Sequence, residues 1–256
     1  MPEISKYAMV DKGASLADDV RVGPFARIGP QVRIEPGCVI ENNVTITGRT
    51  VLGAKTRVFP MAAIGVGQDG GDGGPCLIGQ ATSIREHVVI HGGLDGPTRI
   101  GSDNLIMIAC QVGAGACLGD HGIFANCTRI GAGAVVEDYV GTSGFAVIGP
   151  GAGVGAYTFI AGYATVDRYA PPFAIVQGPP FRVRGVNAEK LRRCGFGEDD
   201  IRVLKNAFRD LFNDFSDHAR PELLEELSPE VADHPHVQRL IEFIRRNASK
   251  GADRHG

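Results

Sequence analysis

Aliphatic residues recur at every sixth position over most of the first two thirds of the chain. In the stretch 10–64 all ten positions of this register are aliphatic. The register lapses twice and returns over 78–90 and over 100–166. Only Phe124 and Thr142 depart from the aliphatic rule there. A pattern that persists over this length indicates one repeated structural unit.

The period of six residues predicts the shape of that unit. An α-helix repeats its faces about every 3.6 residues and a half-buried strand about every 2, so neither explains the pattern. A parallel β-helix does, because each hexapeptide supplies one short strand and one turn. The residue two before each aliphatic is mostly small, as at Cys38 and Thr50, and it faces the same narrow interior. Glycine often follows the aliphatic residue, as at Gly53 and Gly79, where it relieves crowding at a corner.

Two glycine-rich segments interrupt the repeat and are predicted to be loops that leave the rod. The first spans 65–77 and the second spans 91–99. Loops on repeat scaffolds commonly build a binding face, although a plain surface loop also fits the composition. After residue 166 the repeat gives way to two Pro-Pro pairs, which end regular structure. We therefore predict a β-helix over 1–178 and a C-terminal helical domain over 179–256.

The last part of the chain has the composition of helices. A helix over 187–193 begins at a residue type that caps helices and is stopped by Gly195. Further helices are predicted over 198–215, near 222–227 and over 231–246. The apolar residues that fall at helical spacing are Ile201, Leu204, Phe208, Leu211, Phe212, Phe215, Val237, Leu240, Ile241 and Ile244.

Composition and charge argue against several classes of protein. The 256 residues carry a net charge of −3, which gives no electrostatic case for nucleic acid. The apolar runs are too short for a membrane span, and the N-terminus lacks a signal-peptide pattern. The six cysteines form no CxxC pair, which favours buried reduced thiols in a cytoplasmic protein and argues against a metal site. We expect no cofactor.

Four segments resemble the UDP-N-acetylglucosamine acyltransferase family of lipid A biosynthesis. They are SIREHVVIH (83–91), GSDNLIMI (101–108), APPFAIVQG (170–178) and GVNAEKLRRCGF (185–196). The resemblance covers nearly the whole chain, and its first and last segments are the most specific. It implies an all-β, left-handed parallel β-helix with a C-terminal α-helical region, assembled as a homotrimer. It also implies acyl carrier protein, or another acyl thioester, and a UDP-amino sugar as partners.

That family transfers a 3-hydroxyacyl group to the sugar 3-hydroxyl at a groove between subunits. A histidine acts as general base because a sugar hydroxyl is a poor nucleophile until its proton is removed, and an adjacent acid orients that histidine. In the segment ACQVGAGACLG the position that matches the base holds Ala114, and the acid position holds Gly115. The resemblance thus predicts a groove without its usual imidazole. Other family positions with a changed residue are Gly71, Gln111, Gly133, Gly149, Pro150 and Cys194.

Other positions match residues with which the family binds its ligands. Gln68 and Asp69 match loop residues that contact the sugar, and His91 matches a histidine that lines the site. Gln111 stands where the family usually has a second histidine, and we include it among the candidate substrate-binding residues. The matches on the nucleotide side are Asn187, Glu189 and Arg193.

Each of these matches also has a purely structural explanation. Asn187 fits a helix cap, and Glu189 with Arg193 fits a solvent-exposed pair at i,i+4. His91 fits a turn residue, and Asp69 fits a turn former in a glycine-rich loop. The sequence leaves both explanations open for all five residues.

Histidines elsewhere on the rod are candidates for a displaced base. They are His87, His91 and His121, of which His91 and His121 are the stronger candidates. His121 is expected in the turn one coil from Ala114, which is about 5 Å by strand spacing. Its alternative is an exposed corner of the rod.

Three functions follow from these observations. The favoured one is a divergent family member that binds an acyl thioester, a nucleotide sugar or both at the intersubunit groove. Its standard 3-O-acyl transfer is lost or altered because Ala114 replaces the general base. The second is an active acyltransferase with a displaced base, since loss of a base leaves a rate lower by about 10²–10⁴-fold. The third is a non-catalytic binding or assembly protein on the same scaffold.

Overall fold

The chain winds into a triangular rod of stacked coils. The computed structural model describes residues 1–212 and 221–248. In that part of the chain, each coil contributes one short strand to each of three sheets, which we call sheets A, B and C. Glu3 pairs with Arg21 and Met9 pairs with Arg27, so an uninterrupted coil spans eighteen residues, or three hexapeptides.

The strand bounds follow the six-residue register. Sheet A consists of Glu3–Ile4, Arg21–Val22, Val39–Ile40, Arg57–Val58, Ser83–Ile84, Leu105–Ile106, Ile123–Phe124, Gly141–Thr142, Phe159–Ile160, Ala174–Gln177 and Arg182–Val186. Sheet B consists of Met9–Val10, Arg27–Ile28, Thr45–Ile46, Ala63–Val66, Val89–His91, Gln111–Val112, Arg129–Ile130, Val147–Ile148 and Thr165–Val166. Sheet C consists of Ser15–Leu16, Arg33–Ile34, Thr50–Leu52, Cys76–Ile78, Thr98–Ile100, Cys117–Leu118, Val135–Val136, Gly153–Val154 and Tyr169–Ala170. The described strands pair in parallel, and only the last two of sheet A are antiparallel.

The aliphatic register fills the interior of the rod, as predicted. Ile28 and Ile64 are fully buried, and Ile40 is 1 % exposed. Burial of one such side chain contributes about 1.5–3 kcal/mol, and the contribution repeats in every coil. Val10 and Leu16 are only partly buried, because the N-terminal coil has a neighbour on one side alone.

Polar residues inside the rod form their hydrogen bonds locally. The Thr142 hydroxyl lies 2.8 Å from the Thr128 hydroxyl and accepts the N–H of Ala125 at 2.9 Å. At a small interior position, the Thr50 hydroxyl donates to the carbonyl oxygen of Thr47 at 2.6 Å. A buried hydroxyl without a partner is destabilising, so these bonds explain why threonine replaces a small apolar residue there.

Glycines that follow the aliphatic positions allow close stacking of coils. A Cβ on Gly53 would lie 2.6 Å from the backbone N of Gln80, and a Cβ on Gly79 would lie 2.5 Å from the carbonyl carbon of Gly101. The predicted crowding is therefore confirmed. The left-handed turn residue comes two positions later and need not be glycine, since Lys55 adopts a φ of 60°.

Both predicted loops leave the rod between sheets B and C, in successive coils. Their irregular residues are 67–75 and 92–97, because His91 and the other flanking residues stay in strands. The loops also contact each other, since the N–H of Gly93 donates to the carbonyl of Pro75 at 3.1 Å. They therefore form one projection beside the face of sheet B.

Four α-helices and a 3₁₀-helix follow the rod in the described residues. They are α1 (Ala188–Arg193), α2 (Glu198–Leu211), the 3₁₀-helix (Pro221–Glu225), α3 (Pro229–Ala232) and α4 (Pro235–Ala248). Gly195 directly follows Cys194, the C-cap of α1, and adopts a φ of 86°, as predicted for a stop residue. None of these helices is long and apolar enough to cross a bilayer.

Some predicted helix bounds differ from the structure. The helix that begins at Glu198 ends at Leu211 with Phe212 as its C-cap, and the predicted extension over 213–215 lies outside the described residues. The helix predicted near 222–227 is a 3₁₀-helix. The prediction of one helix over 231–246 is wrong, because Pro235 lacks an N–H and restricts the residue before it, so a new helix begins there.

Helix α4 covers part of sheet C. The ring of Phe243 packs edge-on against Tyr169, with centroids 6.1 Å apart. Gly153 of sheet C permits this approach, because a Cβ there would lie 3.0 Å from Oδ1 of Asn247. The helical region is thus packed against one face of the rod.

Candidate functional site

Two grooves on different faces of the rod contain most of the site residues expected from the sequence. One lies on sheet B and has a volume of about 540 Å³, and the other lies on sheet A beside α1 and has about 410 Å³. We call them the B groove and the A groove. The B groove is lined by Gln68, His91, Gln111, Gly113, Arg129, Ile130, Gly131, Ala132, Val147, Ile148, Gly149 and Pro150. The A groove is lined by Ile123, Tyr139, Gly141, Thr142, Phe159, Ile175, Asn187, Glu189, Lys190 and Arg193.

Adjacent strands position two polar side chains of the B groove. Gln111 and Arg129 are paired residues on neighbouring strands of sheet B. Both point outward, because the residues that follow them, Val112 and Ile130, point into the core. Nε of Arg129 donates to Oε1 of Gln111 at 3.3 Å. The two side chains therefore form one polar surface on the wall of the groove.

His91 supplies the imidazole of the B groove. Its Nδ1 atom is buried and has no hydrogen-bond partner among the described residues. Its carbonyl accepts the Thr98 hydroxyl at 2.7 Å. His91 ends a strand of sheet B, so the alternative of a turn residue is wrong. His87 lies outside the groove at an exposed corner.

The turn of Ala114 and Gly115 directly follows Gly113, which lines the B groove. Ala114 is buried, with 5 % of its surface exposed, and its carbonyl accepts the N–H of Gly133 in the next coil at 3.0 Å. The N–H of Gly115 donates to the Thr98 hydroxyl at 2.9 Å. A Cβ on Gly115 would meet nothing within 4 Å, so there is room for a side chain at that position.

The A groove brings together the three residues expected on the nucleotide side. Asn187 precedes α1 without capping it, and its Nδ2 donates instead to the carbonyl of Tyr157 at 2.9 Å. The cap explanation is therefore wrong for this side chain. Glu189 and Arg193 form an ion pair at 2.9 Å with side chains 68 % and 74 % exposed, which confirms the i,i+4 pair. Burial, followed by the neighbouring Tyr139, raises the pKa of the Tyr157 phenol.

His121 lies at a different corner of the rod from Ala114. Its ring stacks on Tyr139 at 4.6 Å, and Tyr139 stacks on Tyr157 at 4.9 Å. This column follows the corner between sheets C and A, whereas Ala114 is in the turn between sheets B and C. The residue in register with Ala114 in the next coil is Ala132, since paired residues on either side of it are eighteen apart. The expectation that His121 lies one coil from Ala114 is wrong, and the exposed-corner alternative is correct.

The first loop places one of its two expected residues in the B groove. Gln68 lines the groove, whereas Asp69 lines neither groove in the described part of the chain. Oδ1 of Asp69 accepts the N–H of Gly71 at 3.1 Å, which is the contact of a turn former. Across 1–212 and 221–248, no group of three or more His, Cys, Asp or Glu residues is arranged to hold a metal ion.

Sequence reasoning missed two cationic residues of the grooves. Arg129 occupies the repeat position of Gln111 one coil later, so the eighteen-residue coil was a signal for it. Lys190 lines the A groove, and its Nζ lies 5.6 Å from the centroid of the Tyr139 ring. Its placement depends on how α1 packs on the rod, which the repeat does not determine.

Comparison with known proteins identifies relatives over the full length of the chain. Two family models match, described as Udp N-acetylglucosamine O-acyltransferase; Domain 2 over residues 170–252 and bacterial transferase hexapeptide (six repeats) over 13–48. The acyl-[acyl-carrier-protein]–UDP-N-acetylglucosamine O-acyltransferase of Halorhodospira halophila is 39% identical over 260 residues, which cover 98% of this chain and 99% of the relative. The enzyme of the same name from Saccharophagus degradans is 38% identical over 252 residues, which cover 96% and 97%.

A solved structure agrees with the fold. LpxA from Acinetobacter baumannii superposes with a TM-score of 0.88 at 30% identity and covers 95% of this chain and 96% of its own. The predictions of a left-handed parallel β-helix, of a C-terminal helical region and of the family are therefore confirmed. The chain belongs to the family of acyl-[acyl-carrier-protein]–UDP-N-acetylglucosamine O-acyltransferases.

Proposed function

We propose that the chain binds an acyl thioester, a UDP-amino sugar or both between copies of itself, and that standard 3-O-acyl transfer is lost or altered. In this proposal Ala114 stands at the position of the general base. The observation that supports it is the composition of the B groove. Its described lining residues include one imidazole, that of His91, and no carboxylate.

A groove of this composition is poorly equipped to activate a sugar hydroxyl. General base catalysis requires an acceptor that reaches the hydroxyl proton, and it contributes about 10²–10⁴-fold to the rate. An orienting carboxylate holds a catalytic imidazole in its productive tautomer and stabilises the imidazolium. His91 forms no ion pair with a carboxylate of the described residues, and the neighbouring turn offers only Ala114 and Gly115.

The placement of the ligand-binding candidates supports a site between copies. Gln68, His91 and Gln111 line the B groove, whereas Asn187 and Glu189 line the A groove on another face. Within the described part of the chain the two grooves have no lining residue in common, so one copy presents two half-sites. A contact between unlike faces of identical subunits gives a ring when the rotation between them closes, and the closed arrangement that we propose is a homotrimer of triangular rods.

Each half-site has a proposed role in binding. In the A groove, Asn187, Glu189 and Arg193 hold the nucleotide. In the B groove of the adjoining copy, Gln68 and Gln111 contact the sugar or the acyl group, with Asp69 contributing from the loop. The names of the relatives give acyl carrier protein as the acyl donor and UDP-N-acetylglucosamine as the acceptor. We propose the same two partners and a cytoplasmic location for this chain.

One alternative keeps the reaction and moves the base to His91. It is favoured by the position of His91 in the B groove, where its buried Nδ1 has no partner among the described residues. A non-catalytic binding or assembly role is the remaining hypothesis, and it requires that a ligand or partner binds without turnover.

The test is an acyl-transfer assay with acyl carrier protein thioesters and UDP-N-acetylglucosamine, with the Halorhodospira halophila relative run in parallel. We expect calorimetry to detect UDP-N-acetylglucosamine binding and mass spectrometry to find 3-O-acyl product at least about 10²-fold more slowly than with the relative. A rate within tenfold of the relative would overturn the loss of the base. His91→Gln, with His87→Gln as the exposed control, then shows whether His91 has taken over that role.

A further inference from the structure

We propose that the B groove selects a ligand carrying an anionic oxygen group, a carboxylate or a phosphate, and that Arg129 recognises that group. The inference rests on the proposed function, because it names the class of ligand for the same groove. It is carried by the charge of the lining, by the contacts of Arg129 and by the donors that surround it.

Arg129 gives the B groove an uncompensated positive charge. It is the one residue with a permanent charge among the described lining residues, and none of them is Asp or Glu. Its contact within the described chain is the neutral amide oxygen of Gln111 at 3.3 Å. Arg57 is different, because that arginine at the equivalent outward position of sheet A pairs with Glu41 at 2.6 Å.

Position in a groove distinguishes Arg129 from arginines that are merely solvated. Arg27 occupies the same outward repeat position on sheet B and is exposed, as Arg129 is, but it lines neither the A groove nor the B groove. A solvated guanidinium gains little from one more ligand, whereas a guanidinium on a groove wall loses water when a ligand enters. The ligand group that replaces this water must accept hydrogen bonds from it.

The neighbours of Arg129 add donors to the same wall. Oε1 of Gln111 already accepts from Arg129, so the amide NH₂ of Gln111 remains as a donor. The groove walls around it come from Gly113, Gly131 and Gly149, which lack side chains that could fill the space. A planar guanidinium beside an amide NH₂ matches the paired oxygens of a carboxylate or phosphate.

This arrangement predicts discrimination against neutral ligands of the same size. A ligand that places a hydroxymethyl group against Arg129 leaves the guanidinium with fewer and weaker hydrogen bonds than one that places a carboxylate there. Sites that depend on such polar contacts discriminate strongly, because the wrong ligand leaves a desolvated group unpaired. The nucleotide, with its diphosphate, is assigned to the A groove, so the anion in the B groove has two possible sources, a carboxylate on the sugar acceptor or the phosphate of a phosphopantetheine thioester.

Two matched ligand pairs separate these sources by calorimetry on the full-length protein. The first pair is UDP-N-acetylglucosamine and its uronate, in which the sugar CH₂OH is a carboxylate. The second pair is an acyl-pantetheine and the same acyl-4′-phosphopantetheine. Each is titrated into the wild type, Arg129→Gln and the control Arg27→Gln. Arg129 and Arg27 are both exposed on sheet B, so we expect unchanged melting temperatures for both variants.

We expect the wild type to bind the anionic member of one pair at least about tenfold more tightly, as one charge-assisted hydrogen bond allows. Arg129→Gln should remove that preference, and Arg27→Gln should keep it. If any of these ligands binds the wild type but Arg129→Gln changes no preference in either pair, this inference is overturned and the proposed function stands. If no ligand of either pair binds the wild type, both are overturned.

Discussion

Glu137 and Arg246 are far apart in the sequence and form an ion pair in which Oε1 lies 2.7 Å from Nη2. The second carboxylate oxygen of Glu137 accepts from Arg239 and from the N–H of Ala156, both at 3.1 Å. Glu137 directly follows a strand of sheet C, and both arginines belong to α4. The Glu137 carboxylate therefore connects the rod to α4 at two positions that lie about two helical turns apart.

We expect Glu137→Gln to lower the free energy of unfolding by about 1 kcal/mol, because two charge-assisted bonds are weakened where the arginines are partly exposed. Urea denaturation followed by circular dichroism measures the change. The control is Glu41→Gln, which breaks the pair with Arg57 away from the helices and should have a smaller effect. Equal effects of the two substitutions would show that Glu137 does not stabilise helix packing.

His236 lies where the helical region meets the corner of the rod. Its ring is 4.6 Å from that of Phe196, measured between centroids. Burial is the largest effect and lowers the pKa of the imidazole. Asp200 raises this pKa by a smaller amount, and His234 and Arg239 lower it further. The neutral form of His236 is therefore favoured in the folded chain.

This pKa difference makes stability depend on pH. The folded pKa of His236 is below the value of about 6.5 for an unfolded histidine, so the unfolded chain binds more protons as the pH falls. The stabilisation is complete above about pH 6.5 and is lost progressively as the pH falls towards the folded pKa. We expect the melting temperature to drop between pH 7.5 and pH 5.5, and to drop less in His236→Phe, which keeps a ring beside Phe196. His87→Phe at an exposed corner should match the wild type, and an unchanged drop in His236→Phe would contradict the prediction.

The rod could be predicted from the sequence because every coil buries the same kind of side chain at the same step. The end of the repeat and most of the helices could also be predicted. After the rod, the apolar residues no longer recur at every sixth position and instead follow the spacing of an α-helix. The division at Pro235 was missed because the apolar residues continue at helical spacing across it, although proline itself was the signal. Helix bounds that depend on a single residue are less evident in the sequence than a period repeated along the whole chain.

The candidate site was only partly predictable. Gln68, His91 and Gln111 were expected from the resemblance to the family, and they line the same B groove. His121 was misplaced because residues one coil apart are separated by eighteen positions, whereas Ala114 and His121 are separated by seven and so lie at neighbouring corners. Arg129 was not predicted, because it is not among the residues that were matched to the family. The repeat nevertheless places it directly beside Gln111.

Burial also predicts the reactivity of the thiols. Burial raises the pKa of Cys76, which is inside the rod, to about 12. Because the thiolate is the reactive form, we expect Cys76 to resist a disulfide reagent at pH 8 until the protein unfolds. Cys117 faces outward from sheet C and is partly exposed, so it should be labelled in the native state. Peptide mass spectrometry after timed labelling measures both, and native labelling of Cys76 as fast as that of Cys117 would contradict the packed interior.

Restoration of a base and its acid partner tests the assignment of Ala114. The double substitution Ala114→His with Gly115→Asp places both groups in the turn at the edge of the B groove. A side chain at Gly115 meets no atom within 4 Å of its Cβ. The φ of 70° there costs a non-glycine residue about 1–2 kcal/mol, although aspartate is among the residues that tolerate it best. The backbone strain at Gly115 is therefore expected to lower the stability of the variant modestly.

We expect this variant to acylate the 3-hydroxyl of UDP-N-acetylglucosamine from acyl carrier protein about 10²–10⁴-fold faster than the wild type, because a general base contributes that much. The rate should rise with pH around the pKa of histidine, near 6.5, since only the neutral imidazole accepts the proton. Ala114→Gln with Gly115→Asp is the matched control, because glutamine is similar in size to histidine but cannot act as the base. If the histidine variant binds UDP-N-acetylglucosamine and its rate does not exceed that of the glutamine variant, Ala114 is not the position of the missing base.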